Sequence, residues 1–348
     1  MQALVLVGGE GTRLRPLTLT QPKPAIQLVD RPFIRYMVDW LGHHGIDEVV
    51  MACGFRAEDL RSALGDSIPG GPSIRYVEES EPLGTAGPVR LAGDMGLLGE
   101  RFMVLNGDVL TDLDLTALQH QHSETGAVAT LGLYPVDDPS SYGLVRRGED
   151  GAVLEFLEKP EPEQIDTDEV NAGTYVLERA VLDLIPTGRA VSIEREVFPR
   201  LVGQGLYGRR LDGYWMDIGT PERYLQASWD IIEGTVETEL PGDGGPFIGS
   251  GCAISESASI AARAVVGAAC EVGDGSTISD SVLLDGCSLG AAADVSGSIL
   301  GRGVVVGEGA RVGPGAVIGA EARIASGAAV GEGARVGPGE SIETEVVA

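Results

Sequence analysis

From residue 248 to the end of the chain, aliphatic residues return every six positions. Ile248, Ile254, Ile260, Val266, Val272, Ile278 and Leu284 share one phase. Leu289 and Val295 follow a slip, and Leu300, Val306, Val312, Ile318, Ile324, Val330, Val336 and Ile342 resume it. A beat of six, with Gly, Ala and Ser between, leaves room for one short strand per hexad whose aliphatic residue points inward and whose small residues make the corner. The pattern predicts stacked triangular coils burying one apolar column, the architecture of a left-handed parallel β-helix. The 17 positions, at about three hexads per turn, give roughly five to six coils. A disordered tail has no use for a sustained aliphatic period.

The preceding residues read differently. From 1 to 240, short apolar runs (2–7, 47–52, 101–106, 127–133) alternate with amphipathic stretches, the pattern of an α/β, Rossmann-like, mostly parallel sheet covered by helices. Phe33, Tyr36, Met37, Trp40 and Leu41 recur at helical spacing and read as one buried face. Helix starts are signalled at Ser192-Ile193-Glu194 and at Thr220-Pro221-Glu222, the second helix running to about 235. Pro241-Gly242-Asp243-Gly244-Gly245-Pro246 breaks both patterns. The expected organisation is an α/β domain over 1–240, a linker over 241–247 and the β-helix over 248–348.

A formal net charge of -27 repels nucleic acid and anionic membrane, so neither is an expected partner. No signal peptide and no bilayer-spanning run is visible, and a cytoplasmic location is expected. Cys53, Cys252, Cys270 and Cys287 are dispersed without metal-ligand spacing and read as small buried hydrophobes. All four histidines (His43, His44, His120, His122) precede the repeat, which leaves it without the catalytic histidine common in hexapeptide acyltransferases.

The cations are more informative: of 25 basic residues, 23 are Arg and two are Lys, Lys23 and Lys159. A lysine retained in such a background points to sites where a compact ammonium matters. The first strand runs into Gly8-Gly9-Glu10-Gly11-Thr12-Arg13-Leu14-Arg15, where backbone N–H groups can approach phosphate oxygens. Gln21-Pro22-Lys23-Pro24 follows. Asp108 ends the apolar strand Phe102–Asn106 through Gly107, and Asp217 ends Tyr214-Trp215-Met216. Two such carboxylates with substrate phosphates complete a plausible Mg²⁺ shell.

These strings resemble the sugar-1-phosphate nucleotidyltransferases, which make nucleotide sugars. The resemblance implies that Leu6, Gly8, Gly9, Gly11 and Thr12 line the nucleotide, with Arg13 and Lys23 on the triphosphate. It gives Mg²⁺ to Asp108 and Asp217. It places Gly143, Glu158, Lys159 and Asn171 around the sugar phosphate, the lysine on phosphate and Glu158 and Asn171 on hydroxyls. Arg13, Lys23, Asp108, Lys159 and Asp217 are then the catalytic set. Glu10 adds a negative charge in the loop, facing solvent or the metal.

Within the family, Glu81-Pro82-Leu83-Gly84-Thr85-Ala86-Gly87-Pro88, Ser192–Pro199 and Gly213–Gly219 most resemble the mannose-1-phosphate guanylyltransferases. That resemblance makes Glu79 the base reader, with Gly84 and Thr85 beside it and Glu78 the alternative if the strand register differs by one. A carboxylate accepts from guanine N1–H and N2–H₂, whereas an amide suits uracil or thymine better. The expected reaction is GTP plus mannose 1-phosphate giving GDP-mannose and pyrophosphate. The alternatives are a UTP- or dTTP-dependent glucose-1-phosphate enzyme and a catalytically silent regulatory subunit. A homo-oligomer is expected from the β-helix.

Overall fold

The computed structural model describes residues 1–54 and 56–347; residue 348, the last of the expected β-helix span, lies outside them. Two compact units form, and they do not follow chain order. The first holds Met1–Gly9 and Met37–Trp215, the second Glu10–Tyr36 and Met216–Ala348.

The first unit is built on a nine-stranded sheet. Its strands are β1 (Gln2–Leu6), β2 (Glu48–Cys53), β3 (Ser73–Glu78), β4 (Arg101–Asn106), β5 (Ala129–Pro135), β6 (Gly143–Arg147), β7 (Val153–Glu158), β8 (Glu169–Glu178) and β9 (Leu206–Arg210). The main order is β7-β6-β8-β4-β1-β2-β3, with β5 on β8 and β9 on β5. β4, β1, β2 and β3 are mutually parallel, which explains the unbroken apolar runs of β1 and β4: both faces of these strands are covered. β8 runs antiparallel to β4 and β5, and its register against β5 slips between Asn171 and Tyr175. Gly173 sits in that bulge at φ 70°, where a Cβ would lie 2.5 Å from Asn106 Nδ2, so no other residue fits.

Helix α1 (Phe33–His43) buries Phe33, Tyr36, Met37, Trp40 and Leu41, as their spacing requires. The helix signalled at Ser192 takes another form. The Ser192 hydroxyl does accept from the Arg195 N–H, but Ile193–Val197 is a π turn leading into a single α turn, Phe198–Leu201. Pro199 has no N–H with which to close an α-helical bond onto the preceding turn, and the wider turn accommodates it.

In the second unit, Thr220 caps a helix over Pro221–Ile232 by accepting from the Arg223 N–H. A small hairpin pairs Gln27–Leu28 with Arg31–Pro32. Its turn places Val29, fully buried and β-branched, at φ 57°. That backbone costs on the order of 1–3 kcal/mol and persists only where its surroundings enforce it.

The repeat forms three six-stranded parallel sheets in which every third strand pairs, six turns of β-helix in all among the described residues. One position in the sequence register needs correction. Leu283, not Leu284, stacks between Val266 and Leu300 in the apolar column. The first slip therefore falls between Ile278 and Leu283, and the second between Val295 and Leu300. Both shortened corners turn through a left-handed residue, Asp280 (φ 48°) or Gly297 (φ 54°), and then bury a serine. Ser281 Oγ donates to Ser279 O and accepts from Ser298 N, bridging one short corner to the next. Two adjacent buried leucines made the slip ambiguous by one residue in the sequence. The four cysteines are free thiols, three of them buried and Cys252 half-buried.

Candidate active site

In the first unit, Leu6 is in register with Asn106 on one side and Ala52 on the other, so the segments after β1, β2 and β4 leave the same edge of the sheet. Gly8 and Gly9 therefore emerge beside Gly107 and Asp108, at the strand ends where α/β sheets bind ligands. Gly107 donates to Leu6 O at 2.9 Å, and a Cβ there would meet Val7 at 2.5 Å, so glycine is obligatory before Asp108. Asp108 is half-buried.

β3 delivers Glu79 to the same edge. Its N–H donates to Cys53 O at 2.8 Å, and its Oε2 accepts from Leu83 N at 2.9 Å, which fixes the carboxylate across the 79–83 turn. Oε1 lies against Gly8, 3.0 Å from where a Cβ would stand. Burial raises the Glu79 pKa, and the Leu83 N–H only partly opposes that. Glu78 is exposed. The register thus gives Glu79, rather than its neighbour, the protected position next to the glycine loop.

Gly84 is at φ 76° with no space for a Cβ, which would fall 2.5 Å from Val191 O. Val191 and this loop exchange backbone bonds, Val191 N to Leu83 O and Ala86 N to Val191 O, both 2.9 Å. The Thr85 hydroxyl is engaged internally: it donates to Glu194 Oε2 at 2.7 Å and accepts from Ile193 N at 2.9 Å. Thr85 thereby ties its own loop to the 192–194 turn.

That turn brings in Glu194, a residue the motif reading gave no site role. Its Oε2 also accepts from Ser192 Oγ at 2.7 Å. Glu158 is close enough that burial first, then the Glu194 charge, raise its pKa, while Lys159 and Arg195 lower it. Fully buried Tyr175 completes the group. Burial and the Glu194 charge push its phenol well above the ordinary range, and its oxygen accepts from Asn171 Nδ2 at 2.8 Å. Asn171 Oδ1 accepts from Gly173 N at 3.0 Å, so the bulge of β8 orients the amide.

Gly143 begins β6 opposite Glu158; a Cβ there would meet the Phe156 ring at 2.7 Å and Glu158 Oε2 at 3.0 Å. Lys159 is exposed, donates its backbone N–H to Tyr142 O at 2.9 Å and sits at φ 55°, a left-handed backbone that a lysine adopts only under constraint. The first unit therefore brings together Gly143, Glu158, Lys159 and Asn171 from three separate stretches of sequence. Trp215 adds an aromatic wall: its ring centroid is 5.5 Å from that of Tyr134 and 5.4 Å from that of Tyr142, and its Nε1 donates to Ala172 O at 2.8 Å. Of the three aromatics only Tyr142 adjoins one of those stretches, beside Gly143; Tyr134 and Trp215 lie in other parts of the chain, so the sequence offered no pattern to join them.

The second unit carries the segments around Gly11, Lys23 and Asp217. Gly11, at φ 61°, packs on Lys23, whose Cβ would be 3.0 Å from a Cβ at Gly11; Thr18 Oγ1 donates to Gly11 O at 2.9 Å and closes the loop. Lys23 is buried and opens a 3-10 turn, Lys23–Ala25. Thr12 and Arg13 are exposed. Gly219 joins Arg13 to Asp217, since a Cβ there would lie 2.7 Å from Arg13 Nη2 and 3.1 Å from Asp217 Oδ2. Glu10 pairs with Arg15 at 3.2 Å.

Carboxylates are the hard oxygen donors a divalent cation such as Mg²⁺ takes, and half-buried Asp108 fits that chemistry. Asp217 fits by donor type, with the qualification that its Oδ1 is ion-paired to Arg223. Among the described residues no cluster of three or more metal-ligating side chains forms.

A profile described as Nucleotidyl transferase matches residues 2–234, and one described as the GMPPB C-terminal domain matches 243–348. The mannose-1-phosphate guanylyltransferase of Mycobacterium tuberculosis is 40% identical over 292 residues, covering 82% of this chain and 80% of that one. Mannose-1-phosphate guanylyltransferase 1 of Arabidopsis thaliana is 40% identical over 275 residues, 77% and 75% of the two chains. Among solved structures, HddC from Yersinia pseudotuberculosis aligns with a TM-score of 0.56 and 27% identity, covering 65% of this chain and 97% of that one. No helix of the described residues is long and apolar enough to cross a membrane. The chain belongs to the nucleotidyl transferase family, in the branch that its mannose-1-phosphate guanylyltransferase relatives represent.

Proposed function

We propose that this enzyme transfers a guanylyl group from GTP to mannose 1-phosphate, giving GDP-mannose and pyrophosphate. A phosphate oxygen of the sugar attacks the α-phosphorus in line; the bond to the β-phosphate oxygen breaks, and pyrophosphate departs with its electron pair. A phosphate monoester dianion is already a competent nucleophile, so no general base or covalent intermediate is needed. What the chain must do is bring two anions together. Arg13 and Lys23 act on the triphosphate and Lys159 on the sugar phosphate, each by charge and position.

Leu6, Gly8, Gly9, Gly11 and Thr12 approach the nucleotide through the backbone, with Gly84 and Thr85 beside the base. Gly143, Glu158 and Asn171 meet the sugar, and Glu194 joins them through its bond to Thr85. Nucleotidyltransferases of this kind generally use a divalent metal; we take it to be Mg²⁺, which Asp108 and Asp217 would hold and which would supply charge neutralisation at the phosphates. The observation that carries the choice of base is the half-buried Glu79 carboxylate, fixed by Leu83 N–H with Oε1 against Gly8.

Pyrophosphate release from GTP and mannose 1-phosphate tests the reading, with Asp108→Asn expected to lower the rate at least about 100-fold in Mg²⁺. An unchanged rate in that variant would remove Asp108 from the metal site.

A further inference from the structure

Gln27 lies four residues beyond Lys23 and is held at both its side chain and its backbone. Its amide is buried, and Nε2 donates to Val29 O at 3.0 Å and to Asp285 Oδ1 at 2.9 Å, a carboxylate of the β-helix. Its carbonyl accepts from Tyr224 OH. Asp285 in turn is fixed by its own solenoid: Oδ1 also accepts from Ala268 N, one coil back, at 2.9 Å, and Oδ2 accepts from Arg302, one coil forward, at 3.4 Å. Three coils thus aim one carboxylate at one glutamine.

The segment between is short and stiff. Lys23 opens a 3-10 turn, Ile26 N donates to Lys23 O at 3.1 Å, and buried Ile26 leads directly into Gln27. On the far side, Val29 is held in its left-handed conformation with its carbonyl bound by the same Gln27 amide. A strained β-branched turn relaxes when the bond enforcing it is lost, and the shift is passed back along four residues to Lys23.

We propose that Gln27 and Asp285 are positioning residues, a latch by which the β-helix holds the Lys23 segment in the conformation that binds the triphosphate. The repeat module then contributes to nucleotide affinity without touching substrate. The proposal rests on the reading that Lys23 binds the triphosphate.

The test uses the full chain, with steady-state kinetics in GTP and in mannose 1-phosphate and a melting temperature for each variant. Gln27→Ala and Asp285→Ala should each raise KM for GTP roughly five- to tenfold, with KM for mannose 1-phosphate unchanged. The double variant should be no worse than either single one, because both break the same bond. Asp285→Asn keeps the accepting oxygen and should bring KM for GTP back to within about twofold of the parent. Arg302→Ala, which removes one of the bonds fixing Asp285 but leaves the Gln27 contact in place, should raise KM for GTP less than Asp285→Ala does.

Lys23→Ala separates the two levels of the argument. If it raises KM for GTP while Gln27→Ala does not, the latch is refuted and the Lys23 reading stands. If Lys23→Ala is itself without effect, the reading beneath the latch fails and takes the latch with it. Additive effects of the two alanines, or losses in every parameter together with the melting temperature, would reduce the pair to ordinary fold stability and overturn the proposal. Gln27→Ala alone decides the matter should Asp285→Ala not fold, since it leaves every bond within the β-helix intact.

Discussion

Glu79 shows how much a single side chain can be asked to decide. A carboxylate can accept from the two adjacent N–H groups of guanine, while uracil or thymine offers one N–H between two carbonyls. Selectivity that depends on a paired polar contact is steep, because the wrong base leaves buried groups unpaired. Glu79→Gln is accordingly expected to lower kcat/KM for GTP by about 100-fold and to spare or improve UTP or dTTP; an unchanged nucleotide ratio in competition assays would sink the guanine assignment. Arg13, Lys23, Asp108, Lys159 and Asp217 were legible as candidates because each lies in a short linear motif, and the scarcity of lysine marked two of them. Glu194 was not legible as a site residue. Its link to the site runs through Thr85, 109 positions earlier in the chain, and through the fold that places it beside Glu158.

At the scale of elements, the parallel strands and the β-helix were readable because their periods are long and regular, while the exceptions were local. The π turn at Ile193–Val197 follows from one proline, and the misplaced slip from two adjacent buried leucines. The junction of β4, β5, β8 and helix Leu115–Thr125 was hidden for another reason, that no linear pattern marks it. There His122, fully buried, contacts Thr130 Oγ1 at 2.8 Å and Glu178 Oε1 at 3.1 Å, and Glu178 also accepts from Arg101 at 2.7 Å. Burial lowers the His122 pKa below 6.5, more than the Glu178 hydrogen bond restores. The unfolded chain then binds more protons than the folded one between that lowered value and the ordinary one. Stability contributed by neutral His122 is complete above pH 6.5 and is lost as pH falls toward the folded-state pKa. Urea titrations should show the parent losing stability between pH 7.5 and 5.5 with a slope that His122→Asn removes; equal slopes would mean other groups carry it.

For the whole molecule, the hexapeptide solenoid made the C-terminal architecture plain, but its chemical relation to the rest of the chain was not visible. Gln27 and Asp285 are 258 positions apart, and nothing in either motif announces the other. The exposed edges of a β-helix suit pairing with a second copy, and we expect a homo-oligomer; multi-angle light scattering giving the mass of a single chain at micromolar concentration would exclude it. The central claim concerns chemistry, and one assay addresses it directly. Purified chain, Mg²⁺ and each of ATP, GTP, UTP, CTP and dTTP are combined with mannose, glucose, galactose and N-acetylglucosamine 1-phosphates, and pyrophosphate is measured. The account predicts that GTP with mannose 1-phosphate exceeds every other pair by roughly 100-fold. A leading rate with UTP or dTTP would contradict the guanine assignment, and no pyrophosphate from any pair would contradict the enzyme.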